Sequence, residues 1–249
     1  MYCNDPTASP DLPLLPQIKG DAMDVLVATI LSQATTDASA KVCFDRLKRA
    51  FPAWRDALNA SQDEIAGLIR SCGLSSQKAS AIKRILDFTK GTLDHLRGIS
   101  PEEAYSTLLS LPGVGPKTAA CVMLFAFDRP FMPVDTHIRR VAGRLGLVPA
   151  KANAPQVQYL LQKVVPAEIA GKLHVLLIRH GRKLCTARSP KCVRCTLSRN
   201  CDYYSSSVVG SRVAASPGAG SPEPSMDSSG ASSSRTGSMS GKAAMSLPQ

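Results

Sequence analysis

Residues Leu111-Pro112-Gly113-Val114-Gly115 leave room for little but a tight turn between two helices. Upstream, Pro101 to Ser110 opens with a proline at a first-turn position and two glutamates behind it. Downstream, Pro116 to Phe127 opens with another proline and continues as an apolar run. The rest of the chain agrees with a helical fold. Helical spacing of apolar residues runs over Asp21 to Leu31, Asp37 to Ala50, Gln62 to Cys72 and Lys78 to Lys90, with short turns between them. After the hairpin it resumes over Thr118 to Phe127, Asp135 to Leu145, Ala154 to Val165 and Ala167 to His180. No segment reads as a convincing strand, and no internal repeat marks a solenoid.

Two glycines one residue apart give the hairpin backbone angles closed to other residues, and leave N–H groups pointing outward unobstructed. Beside a helix N-terminus, such a turn suits a phosphate. A plain turn between packed helices satisfies the same spacing. Lys117 follows in the first helical turn, where the macrodipole disfavours a cation by roughly 0.3–1 kcal/mol. A helix N-terminus and other basic groups also make an ammonium easier to deprotonate, as a nucleophilic amine requires. A solvated surface lysine is the ordinary alternative. Asp135 stands before Thr136-His137-Ile138, where it serves equally as a simple N-cap.

A second constellation lies about fifty residues on. Cys185, Cys192, Cys195 and Cys201 are spaced C-x6-C-x2-C-x5-C, whereas Cys3, Cys43, Cys72 and Cys121 are scattered through segments that read as tail or helix. No signal peptide precedes them, so disulfides are a weak reading and the scattered thiols fit buried positions in a reducing compartment. Zinc sites commonly pair two short spacings, and only one C-x2-C is present. Four thiolates around an iron-sulfur cluster fit better.

Composition limits the partners. A formal charge of +11 and pI near 9.5 favour a polyanion. An aromatic content of 5% argues against stacking platforms for single strands, which leaves duplex DNA as the natural partner. Arg139, Arg140 and Arg144 follow Asp135, while Arg182, Lys183, Arg188, Lys191, Arg194 and Arg199 surround the cysteine cluster. A solvated basic face is the alternative. No apolar run approaches the roughly 20 residues a membrane helix needs.

Together, LPGVGPKTA and VDTH resemble the helix-hairpin-helix DNA glycosylases, in particular their endonuclease III branch. The likeness extends upstream to Ile30–Asp37 (ILSQATTD) and downstream through the cysteines, about Asp21 to Tyr204. It implies an all-α, two-lobed fold in which a helical barrel carrying the helix-hairpin-helix motif joins a smaller helical iron-sulfur lobe. The expected organisation is an irregular proline-containing segment at 1–20, a barrel at 21–130 with the motif at 101–127, a cluster lobe at 131–204 and a disordered tail rich in Ser, Gly and Pro at 205–249.

The resemblance further implies a glycosylase and abasic-site lyase of base excision repair, acting on oxidised pyrimidines in duplex DNA. Lys117 would be the Schiff-base nucleophile and Asp135 the carboxylate that stabilises positive charge at the sugar. Cys185, Cys192, Cys195 and Cys201 would hold a 4Fe-4S cluster that pins the loop Thr186 to Lys191 against DNA. Expected DNA contacts are Gly113, Val114, Gly115, Thr118, His137, Arg188 and Lys191, although His137 suits packing or capping equally well. The wedge that fills the gap left by an extruded base would be Gln33 and Leu74; Leu74 suits an ordinary loop leucine as well.

Two departures from the family pattern stand out. Where the family reads LSAQATD, this chain carries its glutamine one place earlier, so an ungapped alignment sets Ala34 at the inserting position. The proline-rich start also fails to supply the helix that usually precedes the barrel, and an incomplete second lobe is expected. Two other classes stay open: a monofunctional mismatch uracil, thymine or adenine glycosylase, against which Lys117 argues, and a non-catalytic DNA-binding or redox protein. A monomer in the bacterial cytoplasm is the expected state, with a nucleus as the alternative.

Overall fold

The computed structural model describes residues 13–18 and 21–209, all within one compact unit. Its described residues are helices and turns with no strand, in agreement with the all-α expectation. The helices are α1 (Ala22–Leu31), α2 (Asp37–Ala50), α3 (Gln62–Leu68), α4 (Ser75–Thr89), α5 (Pro101–Ser110), α6 (Pro116–Phe125), α7 (Thr136–Leu145), α8 (Ala154–Val164) and α9 (Ala170–Lys183). None is long and apolar enough to cross a membrane.

Helix α1 is the axis. All ten of its residues are buried, the pattern of a helix with apolar neighbours on every side. A reciprocal capping box starts it, with Asp24 N–H donating to Asp21 and Asp21 N–H to Asp24. Asp24 also accepts from Trp54 Nε1 at 2.9 Å and pairs with Lys48 at 3.1 Å, so this little-exposed carboxylate is fully engaged. Helices α2, α4 and α6 pack around α1, α3 lies on α4, and α5 lies on α6. Their apolar faces form one core running from Leu14 to Phe127. Removing a side chain such as Leu26, fully buried at its centre, would cost about 2–5 kcal/mol.

A second apolar core gathers Met132, Val134, Ile138, Val141, Val157, Leu161, Leu177 and Ile178 where α7 meets α8 and α9. Contacts between α6 and α9 link the two cores.

Some boundaries differ from those read in the sequence. The segment expected as one helix from Gln62 to Cys72 is α3 followed by a 3-10 turn at Arg70–Cys72. Helix α4 starts at Ser75 rather than Lys78, because Gly73 (φ 64) and Leu74 (φ 50) both take left-handed angles that reverse the chain immediately before it. Residues 167–169 form a 3-10 turn ahead of α9. The tail expected to be disordered from 205 instead begins with a π-helical turn at Tyr204–Val209, where Ser205 N–H donates to the Cys201 carbonyl at 3.1 Å. The tail from 210 onward lies outside the described residues, as do Cys3 and most of the proline-containing start. Within that start, Leu15–Gln17 form a 3-10 turn and Leu14 is buried against the first core.

Candidate active site and cysteine cluster

Lys117 stands in the first turn of α6, behind Gly115 as N-cap and Pro116. The hairpin before it closes through Val114 N–H to the Leu111 carbonyl at 3.1 Å. Gly113 (φ 78) takes a left-handed angle that glycine adopts without strain, and a Cβ there would also press to 3.3 Å from Ala81 of α4. Gly115 does not: its φ of −100° is open to any residue, and no heavy atom lies within 4 Å of where its Cβ would stand. The surface beside Gly115 is therefore open. The Val114 N–H is spent on the turn and its side chain is buried. Thr118 is also buried, so its backbone N–H, which like that of Lys117 belongs to a first turn without intrahelical acceptors, is what it offers.

Asp135 caps α7, accepting from Ile138 N–H at 2.8 Å. Lys117 and Asp135 nevertheless line one cleft of about 810 Å³, together with Gln33, Ala34, His137, His174 and Arg182. The fully buried thiol of Cys121, one turn beyond Lys117, senses both charges. Burial pushes it up, Lys117 pulls it down and Asp135 pushes it up again.

His174 is the residue sequence reasoning missed. It comes from α9, is 1% exposed and shares a 3.0 Å hydrogen bond with the Pro133 carbonyl through Nδ1. Burial first, and then the nearby charge of Lys117, hold its pKa at about 4, so the ring is neutral at pH 7. His137 is half-buried, with Nδ1 at 3.1 Å from Arg140 Nη2, and burial lowers its pKa. Gly181 of α9 lies so close that a Cβ on it would stand 2.9 Å from the His137 Cβ.

Of the wedge candidates, Gln33 is exposed at the cleft edge beside Ala34, which takes a left-handed φ of 50°. Leu74 does not line the cleft; it projects at the start of α4, 53% exposed.

The arginines near the cysteines are less available than their charge suggests. Arg140 donates to the carbonyls of Cys185 (3.0 Å) and Gly181 (2.9 Å), and Arg144 to those of Thr186 (2.7 Å) and Ala187 (2.9 Å). Arg182 pairs with Asp37 of α2. Arg188 and Lys191 are exposed on the loop that these arginines hold.

Cys185, Cys192, Cys195 and Cys201 line one cavity with His180, Arg144 and Tyr203. Arg144 Nη1 is 3.4 Å from Cys185 Sγ, His180 Nε2 is 3.7 Å from Cys195 Sγ, and Cys201 Sγ is 3.2 Å from the Arg144 carbonyl. No group of His, Cys, Asp or Glu among the described residues is close enough to hold a single metal ion. Four thiols lining one cavity bordered by a guanidinium are a donor set of the kind that holds a thiolate-bound metal group.

The model of the HhH-GPD superfamily of base excision DNA repair proteins matches residues 27–167. Endonuclease III of Thermotoga maritima is 31% identical over 185 residues, covering 74% of this chain and 84% of that protein. The chain belongs to the endonuclease III-like branch of the HhH-GPD superfamily. An Arabidopsis thaliana protein, provisionally named a DNA glycosylase, is 40% identical over 169 residues, 66% of this chain and 57% of that one. The chain thus spans little more than half of that relative. In three dimensions it is similar to a trapped covalent intermediate of endonuclease III with DNA, with TM-score 0.66, 32% identity and coverage of 76% of this chain and 86% of that one. The HhH-GPD match covers the hairpin, Lys117 and Asp135, and ends before the cysteines.

Proposed function

We propose that this chain is a bifunctional DNA glycosylase and abasic-site lyase that removes damaged pyrimidines from duplex DNA. The observation that carries the reading is the convergence of Lys117 and Asp135, from separate helices, on one cleft beside an unobstructed hairpin.

The amides of Gly115, Lys117 and Thr118 would hold a backbone phosphate at the N-terminus of α6. A base within the stack shields its sugar, so the nucleotide must first be extruded at a cost of a few kcal/mol, least for a damaged or mismatched base. Gln33, or Ala34 in its place, and Leu74 would fill the gap. The Lys117 amine attacks C1′, the C1′–N bond breaks, and its electron pair leaves with the base, which takes up a proton. Ring opening then gives a Schiff base between Nζ and C1′. Loss of a proton from C2′ expels the 3′ phosphate and nicks the strand. Asp135, ionised, offsets the positive charge that develops at the sugar and assists the proton transfers.

Cys185, Cys192, Cys195 and Cys201 would hold a 4Fe-4S cluster. When bound, it supplies structure, fastening the loop that presents Arg188 and Lys191 to the phosphates. Base excision by an amine involves no net electron transfer.

The test uses duplexes bearing thymine glycol, uracil or thymine opposite guanine, or an abasic site, each with borohydride. Covalent trapping and nicking of the thymine glycol and abasic duplexes are expected, and Lys117→Gln should abolish trapping while leaving DNA affinity intact. Intact binding without trapping or nicking on any duplex refutes the lyase reading; trapping by Lys117→Gln would point to another amine.

A further inference from the structure

Lys78, in the first turn of α4, is 3% exposed and forms no ion pair among the described residues. Its Nζ donates to the Leu31 carbonyl at 2.9 Å and to the Cys72 carbonyl at 2.9 Å. A buried ammonium is costly unless its donors are met, and burial accordingly lowers its pKa from the ordinary lysine value. Both acceptors are the final carbonyls of helical segments, α1 and the 3-10 turn at Arg70–Cys72. The negative end of the α1 dipole therefore offsets part of the charge. An apolar side chain there would leave the Leu31 and Cys72 carbonyls without this donor. The ammonium must be explained by what it ties together.

It ties two turns. Leu31 leads into Ser32–Thr36, which exposes Gln33 and Ala34. Cys72 leads into Gly73 and the left-handed, exposed Leu74. The backbone N–H of Lys78 donates to the Leu74 carbonyl at 2.9 Å as the first intrahelical bond of α4, so the tie between the turns is made by the ammonium alone. Other polar contacts to this turn run through sulfur or its neighbours: Cys72 Sγ to the Ser39 carbonyl (3.4 Å) and Cys43 Sγ to Ser71 Oγ (3.2 Å). Sulfur bonds of that kind are weak, whereas those of the ammonium are charge-assisted.

We propose that Lys78 is a positioning residue for base extrusion, locking the 32–36 and 72–74 turns together so that both enter the duplex as one rigid unit. This rests on the glycosylase-lyase reading above. Without the ammonium, each turn would have to find its place separately, and the loss would appear only when paired bases must be forced apart.

The test compares two DNAs: a thymine glycol opposite adenine in a fully paired duplex, and the same lesion inside a short unpaired bubble flanked by duplex. Lys78→Met keeps most of the length of the side chain and removes its charge and donors. Its borohydride-trapping rate on the paired duplex should fall about tenfold, equivalent to about 1.4 kcal/mol, while its rate on the bubble stays near wild type. An equal fall on both DNAs would mark Lys78 as merely structural, and an unchanged paired-duplex rate would show that the turns need no such tie; either overturns the proposal. Should Lys78→Met not fold, Lys78→Gln, whose shorter amide reaches at most one carbonyl, is expected to lower the paired-to-bubble ratio, and an unchanged ratio overturns the proposal. If the wild type traps neither DNA, the parent reading fails first.

Discussion

Acidification from pH 7 to pH 4 should remove about 3 kcal/mol of stability through His174 alone. The imidazole is 1% exposed, and its pKa is held at about 4 against an ordinary value of 6.5. Because the Pro133 carbonyl can only accept, the neutral ring carries its proton on Nδ1. Between the two pKa values the unfolded chain binds a proton that the folded chain refuses, so stability rises with pH across this window. The contribution is complete above 6.5, falls as pH drops, and is spent once pH passes below 4. A gap of about 2.5 units, at about 1.4 kcal/mol each, is worth about 3.5 kcal/mol in full, and about 3 kcal/mol of it is lost by pH 4, where the folded ring is half protonated; this is large against typical stabilities of about 5–15 kcal/mol. Urea unfolding followed by circular dichroism, on wild type and His174→Asn at both pH values, measures it. Asparagine keeps a donor in reach of Pro133 and does not titrate, so the variant should lose about 3 kcal/mol less than wild type over this range. Equal losses in the two proteins would refute the account of a buried neutral ring.

Three further outcomes follow from the site geometry. Asp135→Asn keeps an N-cap and should leave stability nearly unchanged while abolishing trapping; Asp135→Ala should also lower stability by about 1 kcal/mol, measurable in the same unfolding experiment. Gly113→Ala strains a left-handed position and should cost about 1–2 kcal/mol, whereas Gly115→Ala meets no atom of the chain and should appear mainly as weaker binding to an abasic duplex in a fluorescence-anisotropy titration. Gly181→Ala forces a Cβ against His137 and should cost about 1–3 kcal/mol in urea unfolding, with lower trapping activity, since α7 carries Asp135.

Helices with clear amphipathic spacing and proline or acidic starts, such as α5 and α8, were legible because their signals are local. The hairpin, Lys117 and Asp135 were legible through the order in which they occur. His174 was not, since one histidine in an amphipathic helix says nothing of which cleft its ring enters until α9 is packed on α6. Lys78 was hidden by its type: lysine is ordinarily exposed, and only the approach of the distant Leu31 carbonyl beside that of Cys72 makes burial tolerable. Charge misled for Arg140 and Arg144, which spend their guanidinium groups on backbone carbonyls where sequence suggested a face for DNA. Gly115 resembled Gly113 in sequence, yet only Gly113 needs glycine's angles.

The division of the apolar interior has a consequence for heat inactivation. Lys117 rides on α6, which belongs to the first core, while Asp135 and His174 are carried by the elements around the second. Neither core holds Lys117 and Asp135 by itself; the arrangement exists only at their seam. A loosening of α6 against α9 would separate amine from carboxylate while both interiors stayed packed and the helical content stayed constant. On warming, activity should therefore fade ahead of any spectroscopic melting, and changes that strengthen one interior alone should raise the melting temperature without extending the range over which the protein works.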